Sequence, residues 1–86
     1  MDDITLLKKE IFFRGTRRGL KEIDLIFGRF LAAEIDRLTV AELHELRDLL
    51  TVPDNDLLSW FVDGQLPADR QTPLTARIRA AAGTAV

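Results

Sequence analysis

Residues 21–38 read KEIDLIFGRFLAAEIDRL. Ile23, Ile26, Phe27, Phe30, Leu31, Ile35 and Leu38 recur there every three or four positions, while Lys21, Asp24, Glu34 and Arg37 fall mostly on the other side. Because an α-helix turns once in about 3.6 residues, this spacing gathers the apolar side chains into one broad stripe. No alternation of useful length competes with it as a strand signal. The stretch therefore predicts a central helix whose apolar face must be covered by other elements.

Upstream, Ile4, Leu7 and Ile11 keep helical spacing from Asp3 to about Phe13, and Gly15 is the expected stop of a short first helix. Downstream, Thr39-Val40-Ala41-Glu42 has the form of a capping box: the threonine hydroxyl accepts the third helical amide and the glutamate reaches back to the threonine amide. The third helix that follows carries Val40, Leu43, Leu46, Leu49 and Leu50 until Thr51-Val52-Pro53 breaks it. Asp54 is expected to cap a fourth helix containing Leu57, Leu58, Trp60 and Phe61, closed by Gly64 in a left-handed conformation. A linker, Gln65 to Gln71, holds Pro67. Thr72 as cap and Pro73 at the first position then open a fifth helix through Ile78 to about Ala82, with Gly83 ending it and the last residues fraying. The expected architecture is all-α, a small compact bundle of about five short helices in one domain over residues 1–86, since two cores could not share so short a chain.

Composition narrows the chemistry. With 47% hydrophobic and 30% charged residues and three prolines, the chain has the makings of a real core and not of a disordered tail. The lack of cysteine excludes disulfides and thiolate metal sites, and a single histidine leaves little for zinc or a catalytic triad. Met1-Asp2-Asp3 is acidic where a secretory signal or mitochondrial presequence is basic, and no run of 18 or more apolar residues occurs. These features lead us to expect an unprocessed protein of a bacterial cytoplasm, with no membrane insertion.

The net charge of −2 conceals an asymmetry. Between Lys8 and Glu22, the bases Lys8, Lys9, Arg14, Arg17, Arg18 and Lys21 face only Glu10 and Glu22, a local +4 that leaves −6 on the remaining residues. Such a division steers encounter with a partner more than it sets affinity.

Most candidate sites have a plainer structural explanation. His44 in the third helix has no evident ligand partner and is expected to be exposed; Glu42, Glu45 and Asp48 are expected on the same solvated helix face. Trp60 and Phe61 could offer a stacking platform, but their place beside Leu57 on an amphipathic helix points to core packing. Asp54 with Asp56 is too sparse for a metal site, and Asp54 is better suited to capping.

Arg17-Arg18-Gly19-Leu20-Lys21-Glu22 is harder to assign to structure. It lies where the first and central helices should meet. Gly19 can take a positive φ there and, without a Cβ, lets a partner approach closely. Arg18 and Glu22, four residues apart, could hold one another in place. The alternative is a surface ion pair beside a helix cap, worth under about 1 kcal/mol, and residue chemistry leaves both readings open. Nucleic-acid binding by the basic residues is a further alternative, as is a general helical adaptor. A pI of about 5.3, and bases clustered around a turn with no recognition helix, argue against nucleic acid.

The run Arg17-Arg18-Gly19-Leu20-Lys21-Glu22-Ile23-Asp24 resembles the RGxxE signature of the SdhE family of succinate dehydrogenase assembly factors. Phe13-Arg14, Gly28-Arg29-Phe30, Leu49-Leu50 and Pro53-Asp54-Asn55-Asp56-Leu57 leading to Trp60 extend the likeness in order, from about Ile11 to Asp69. Thr16 and the tail from Gln71 lie outside the pattern. The resemblance implies a small helical protein, not itself an enzyme, that binds the flavoprotein subunit of succinate dehydrogenase, with fumarate reductase as a second client, and promotes covalent attachment of FAD. It implies that the client carries the FAD; this chain is expected to hold no cofactor or metal of its own and to be a monomer when free. Position by position, Arg18, Gly19 and Glu22 fall on the motif, Arg17 and Asp24 flank it, and Arg14 completes the implied client-binding set.

Overall fold

A computed structural model describes residues 2–85. Among these the chain is all-α, with helices α1 (Asp3–Thr16), α2 (Lys21–Glu34), α3 (Val40–Leu49), α4 (Asp54–Phe61) and α5 (Pro73–Ala85) and no strand. The expected stripe on α2 is the centre of the molecule: Ile23, Ile26, Phe27, Phe30 and Leu31 are all buried, and α2 packs against α1, α4 and α5. Leu7 and Ile11 from α1, Leu43, Leu46 and Leu49 from α3, Leu57 and Phe61 from α4 and Leu74 and Ile78 from α5 complete the core. The radius of gyration, 12.0 Å, is what a compact chain of this length should have.

Several boundaries differ from the expectation. Gly15 does not stop α1. It is buried inside the helix, and a Cβ built there would come within 2.6 Å of Leu31 Cδ1 and 3.7 Å of Phe27 and Leu50 side-chain atoms. Its bareness lets α1 lie close against α2, a packing role that resembles a stop signal only in sequence. The α2 stripe is not continuous to Leu38: the helix ends at Glu34, a 3₁₀ turn covers Ile35–Arg37, and Leu38 reaches the core from the extended residue that follows.

The capping box forms as read, with the Thr39 hydroxyl accepting from the Glu42 amide at 3.1 Å and Glu42 accepting from the Thr39 amide at 3.0 Å. Val40, grouped with the apolar positions of α3, is instead half exposed. Thr72 caps α5 as expected, accepting the Thr75 amide at 3.2 Å, while the Thr75 hydroxyl accepts from the Thr72 amide at 2.8 Å. Gly83 does not end α5, which continues to Ala85. The expected fraying at the end of the chain falls in part on Val86, outside the described residues. Gly64 takes φ +76° just past α4, the left-handed closure that glycine permits. The linker before α5 contains a 3₁₀ turn at Ala68–Arg70.

No described helix is long and apolar enough to cross a membrane.

Candidate functional site

The elbow between α1 and α2, residues 17–20, is built around Arg18. Its side chain is turned inward, 13% exposed. Nε donates to Asp54 Oδ1 at 2.7 Å, Nη1 to the Leu50 carbonyl at 2.7 Å and Nη2 to the Val52 carbonyl at 2.9 Å. The guanidinium thereby satisfies the Leu50 carbonyl at the C-cap of α3, where a cation is also favoured by the helix dipole, and the Val52 carbonyl in the connection to α4. The flat fork of an arginine suits this spread of acceptors in a way a lysine cannot.

Asp54 holds the other half of the joint. It does not cap α4: Pro53 is the N-cap residue, without a side-chain cap, and Asp54 is the first helical position. Its carboxylate reaches across the fold, Oδ2 accepting from the Gly19 amide at 2.8 Å and the Leu20 amide at 3.3 Å. One carboxylate thus sits at the start of two helices, α4 in its own chain segment and α2 through space, both favourable places for negative charge. Asp24 braces the elbow from α2, its Oδ1 accepting from the Arg18 amide at 2.6 Å.

These contacts tune the Asp54 carboxyl. Its partial burial works against the charge, but the hydrogen bond from Arg18, the Gly19 amide, the Arg18 charge and the Leu20 amide outweigh it and hold the pKa below the usual 3.8. A carboxyl whose pKa is lower in the folded than in the unfolded state stabilises the fold above the unfolded pKa, and that contribution disappears as pH falls through the folded value. Glu42 shifts the same way, chiefly through the Thr39 amide, against some desolvation and with help from Arg77. Thermal denaturation followed by circular dichroism should therefore give a steady midpoint above about pH 5 and a falling one below about pH 4. Asp54→Asn should flatten that fall, and a midpoint unchanged down to about pH 3 would contradict the assignment.

With Arg18 and Asp24 engaged inside, the elbow presents Arg17, Gly19, Lys21 and Glu22 to solvent. The Arg18–Glu22 pair expected from the i, i+4 spacing is not made, because Arg18 turns to Asp54 instead. Among the described residues, Glu22 and Lys21 make no side-chain hydrogen bond or ion pair. Gly19 does not use a positive φ; Gly64 is the one described glycine that does. A Cβ on Gly19 would meet only Asp54 Oδ2, at 3.6 Å, an ordinary contact. Nothing within the fold therefore demands glycine at 19. Arg14 is not part of this surface: it points to the α1–α3 side, 3.8 Å from Glu10, whose carboxylate also meets Arg47 at 2.7 Å.

The other candidates settle into structure. His44 is exposed. Glu42 and Glu45 are less solvated than expected, since Glu42 pairs with Arg77 of α5 and Glu45 accepts from the Thr72 hydroxyl at 2.6 Å, so both tie α3 to α5; Asp48 stays exposed, 3.5 Å from Arg70. Phe61 packs edge-on to Phe27 at 6.1 Å between ring centroids, and Trp60 lies against the core under Arg70. Two features escaped the sequence reading. Asp54 binds the elbow from 36 residues away, a separation that no local spacing reveals. Phe12 and Phe13, 46% and 59% exposed, stand off the Leu7–Ile11 stripe, and that offset was a legible sign.

Residues 9–82 match the family described as flavinator of succinate dehydrogenase, a span that includes both Arg18 and Asp54. The chain belongs to that family. Its flavinator relatives include the FAD assembly factor SdhE of Acetobacter pasteurianus, 32% identical over 90% of this chain and 72% of that protein. The FAD assembly factor SdhE of Legionella pneumophila is 38% identical over 73% of this chain and 80% of its own length. A mitochondrial succinate dehydrogenase assembly factor 2 from Dictyostelium discoideum is 30% identical over 84% of this chain, which spans about half, 52%, of that protein. No solved structure gives a significant match. Membership in the flavinator family bears out the resemblance carried by the Arg17–Asp24 run, and the helical fold agrees with it.

Proposed function

We propose that this protein is an assembly factor that binds the flavoprotein subunit of succinate dehydrogenase and promotes its covalent attachment of FAD. The observation that carries the reading is the family match across the elbow, where Arg18, Gly19 and Glu22 coincide with the RGxxE signature. In this reading the motif's labour is divided. Arg18 and Asp24 set the shape of the elbow from within, while Arg17, Gly19 and Glu22 face the client, with Arg14 supporting α1 from its other side. Gly19 is bare where the fold does not require it, which suits close approach by a partner's backbone.

FAD stays with the client in this reading. The Gly19 and Leu20 amides, the donors at the start of α2 that could cradle a diphosphate, already serve Asp54. Bond formation between the flavin and a client histidine needs orientation and preorganised charge, which a docked protein supplies without a catalytic group of its own. We take the protein to act as a monomer in a bacterial cytoplasm, with fumarate reductase as a second client and without nucleic acid. Affinity purification of the tagged protein from its own cells should enrich the succinate dehydrogenase flavoprotein. Enrichment of nucleic acid instead, lost steeply on adding salt, would favour the rival reading.

A further inference from the structure

We infer that a groove along the outer face of α1 is a second docking surface, taking a segment of the flavoprotein client that carries an apolar side chain flanked by carboxylates. The inference rests on the assembly-factor reading and extends it beyond the RGxxE elbow. The groove, about 430 Å³, lies between α1 and the 3₁₀ turn after α2; Phe12, Phe13, Thr16 and Ile35 contribute to its lining, with Lys9 and Arg17 beside them. Two phenylalanines half exposed on one helix of an 86-residue protein are unusual where the core has room only for the opposite face. The Arg17 guanidinium lies 4.6 Å from the Phe13 ring centroid, a contact that joins groove and elbow into one surface.

Charge identifies the occupant. Lys8 is answered by Asp36 at 3.2 Å, at the end of the groove away from the elbow. Lys9, near the middle of the groove, and Arg17, at its elbow end, have no ion-pair partner among the described residues, so unneutralised positive charge lies beside the aromatic faces. From Arg17 back to Thr5 the groove runs about 18 Å at the rise of an α-helix, room for about five residues of extended chain. A segment with an apolar anchor and adjacent carboxylates matches both halves of that lining. Docking there places the client alongside the elbow, where Gly19 and Glu22 are presented.

The test measures the affinity of the full-length protein for the isolated succinate dehydrogenase flavoprotein subunit, at low and moderate salt. Wild type is compared with Phe12→Ser, Lys9→Glu and Gly19→Arg, each checked for native helicity. Phe12→Ser should weaken binding about tenfold or more, as loss of a central aromatic anchor does. Lys9→Glu should weaken it and flatten its salt dependence. If Phe12→Ser and Lys9→Glu both bind within about twofold of wild type while Gly19→Arg does not bind, the groove is not a docking surface and the elbow reading stands. Should Phe12→Ser change the mass of the free protein but not its client affinity, the groove's occupant is a second copy and the inference fails. A wild-type protein that does not bind the flavoprotein at all overturns both the inference and the function on which it rests.

Discussion

Asp54→Ala should cost the fold about 3 kcal/mol, well above the value of a surface ion pair. Asp54 and Arg18 are 19% and 13% exposed, so neither is free to exchange its partner for bulk water. Removing the carboxylate strands the Arg18 Nε and leaves the Gly19 and Leu20 amides without their acceptor, and the cost of such unmade bonds exceeds the net worth of the bonds themselves. For a domain this small that is a large fraction of total stability. Arg18→Lys should fare little better, because one ammonium cannot serve Asp54, Leu50 and Val52 in the directions they occupy. Urea denaturation of the variants measures the loss. A change under about 1 kcal/mol would mean that the pair behaves as an exposed one.

Gly19→Arg should do the reverse, leaving the fold and removing the function. Gly19 is exposed, uses no glycine-only conformation, and has a single neighbouring atom near the Cβ position. Its stability should stay within about 1 kcal/mol of wild type, as for other surface substitutions, while affinity for the flavoprotein falls by a factor of about ten or more. The new guanidinium lies next to Asp54, so Gly19→Leu serves as an uncharged control for competition with Arg18. Gly19→Ala, which fits the same space, separates sensitivity to any side chain from sensitivity to bulk. A Gly19→Leu protein that folds and binds the client normally would remove Gly19 from the contact surface.

These two residues also show which parts of the molecule could be read from its sequence. Signals confined to one helix or its ends were legible: the Thr39–Glu42 capping box, Thr72 before Pro73, the Ile23–Leu31 stripe and Gly64 all do what their spacing implies. Signals whose meaning depends on a neighbour distant in sequence were not. Gly15 has the same chemistry as a helix stop, and only the approach of Leu31 makes it a packing residue inside α1. Asp54 has the form of an N-cap, yet its acceptors are taken by Arg18, Gly19 and Leu20, 34 to 36 residues away. The elbow motif was recognisable as a pattern, but its division into an inward Arg18 and an outward Gly19 and Glu22 follows from tertiary contacts alone. Phe12 and Phe13 show the limit of composition arguments, since residues that enter the 47% hydrophobic content need not lie in the core.

The most direct test of the central claim is covalent flavin on the succinate dehydrogenase flavoprotein, read by in-gel fluorescence in cells that lack this protein and in the same cells supplied with wild type or Glu22→Ala. The account predicts a fluorescent band that is lost without the protein, restored by wild type and diminished with Glu22→Ala at equal flavoprotein levels. A band of equal strength in all of these cells would contradict it.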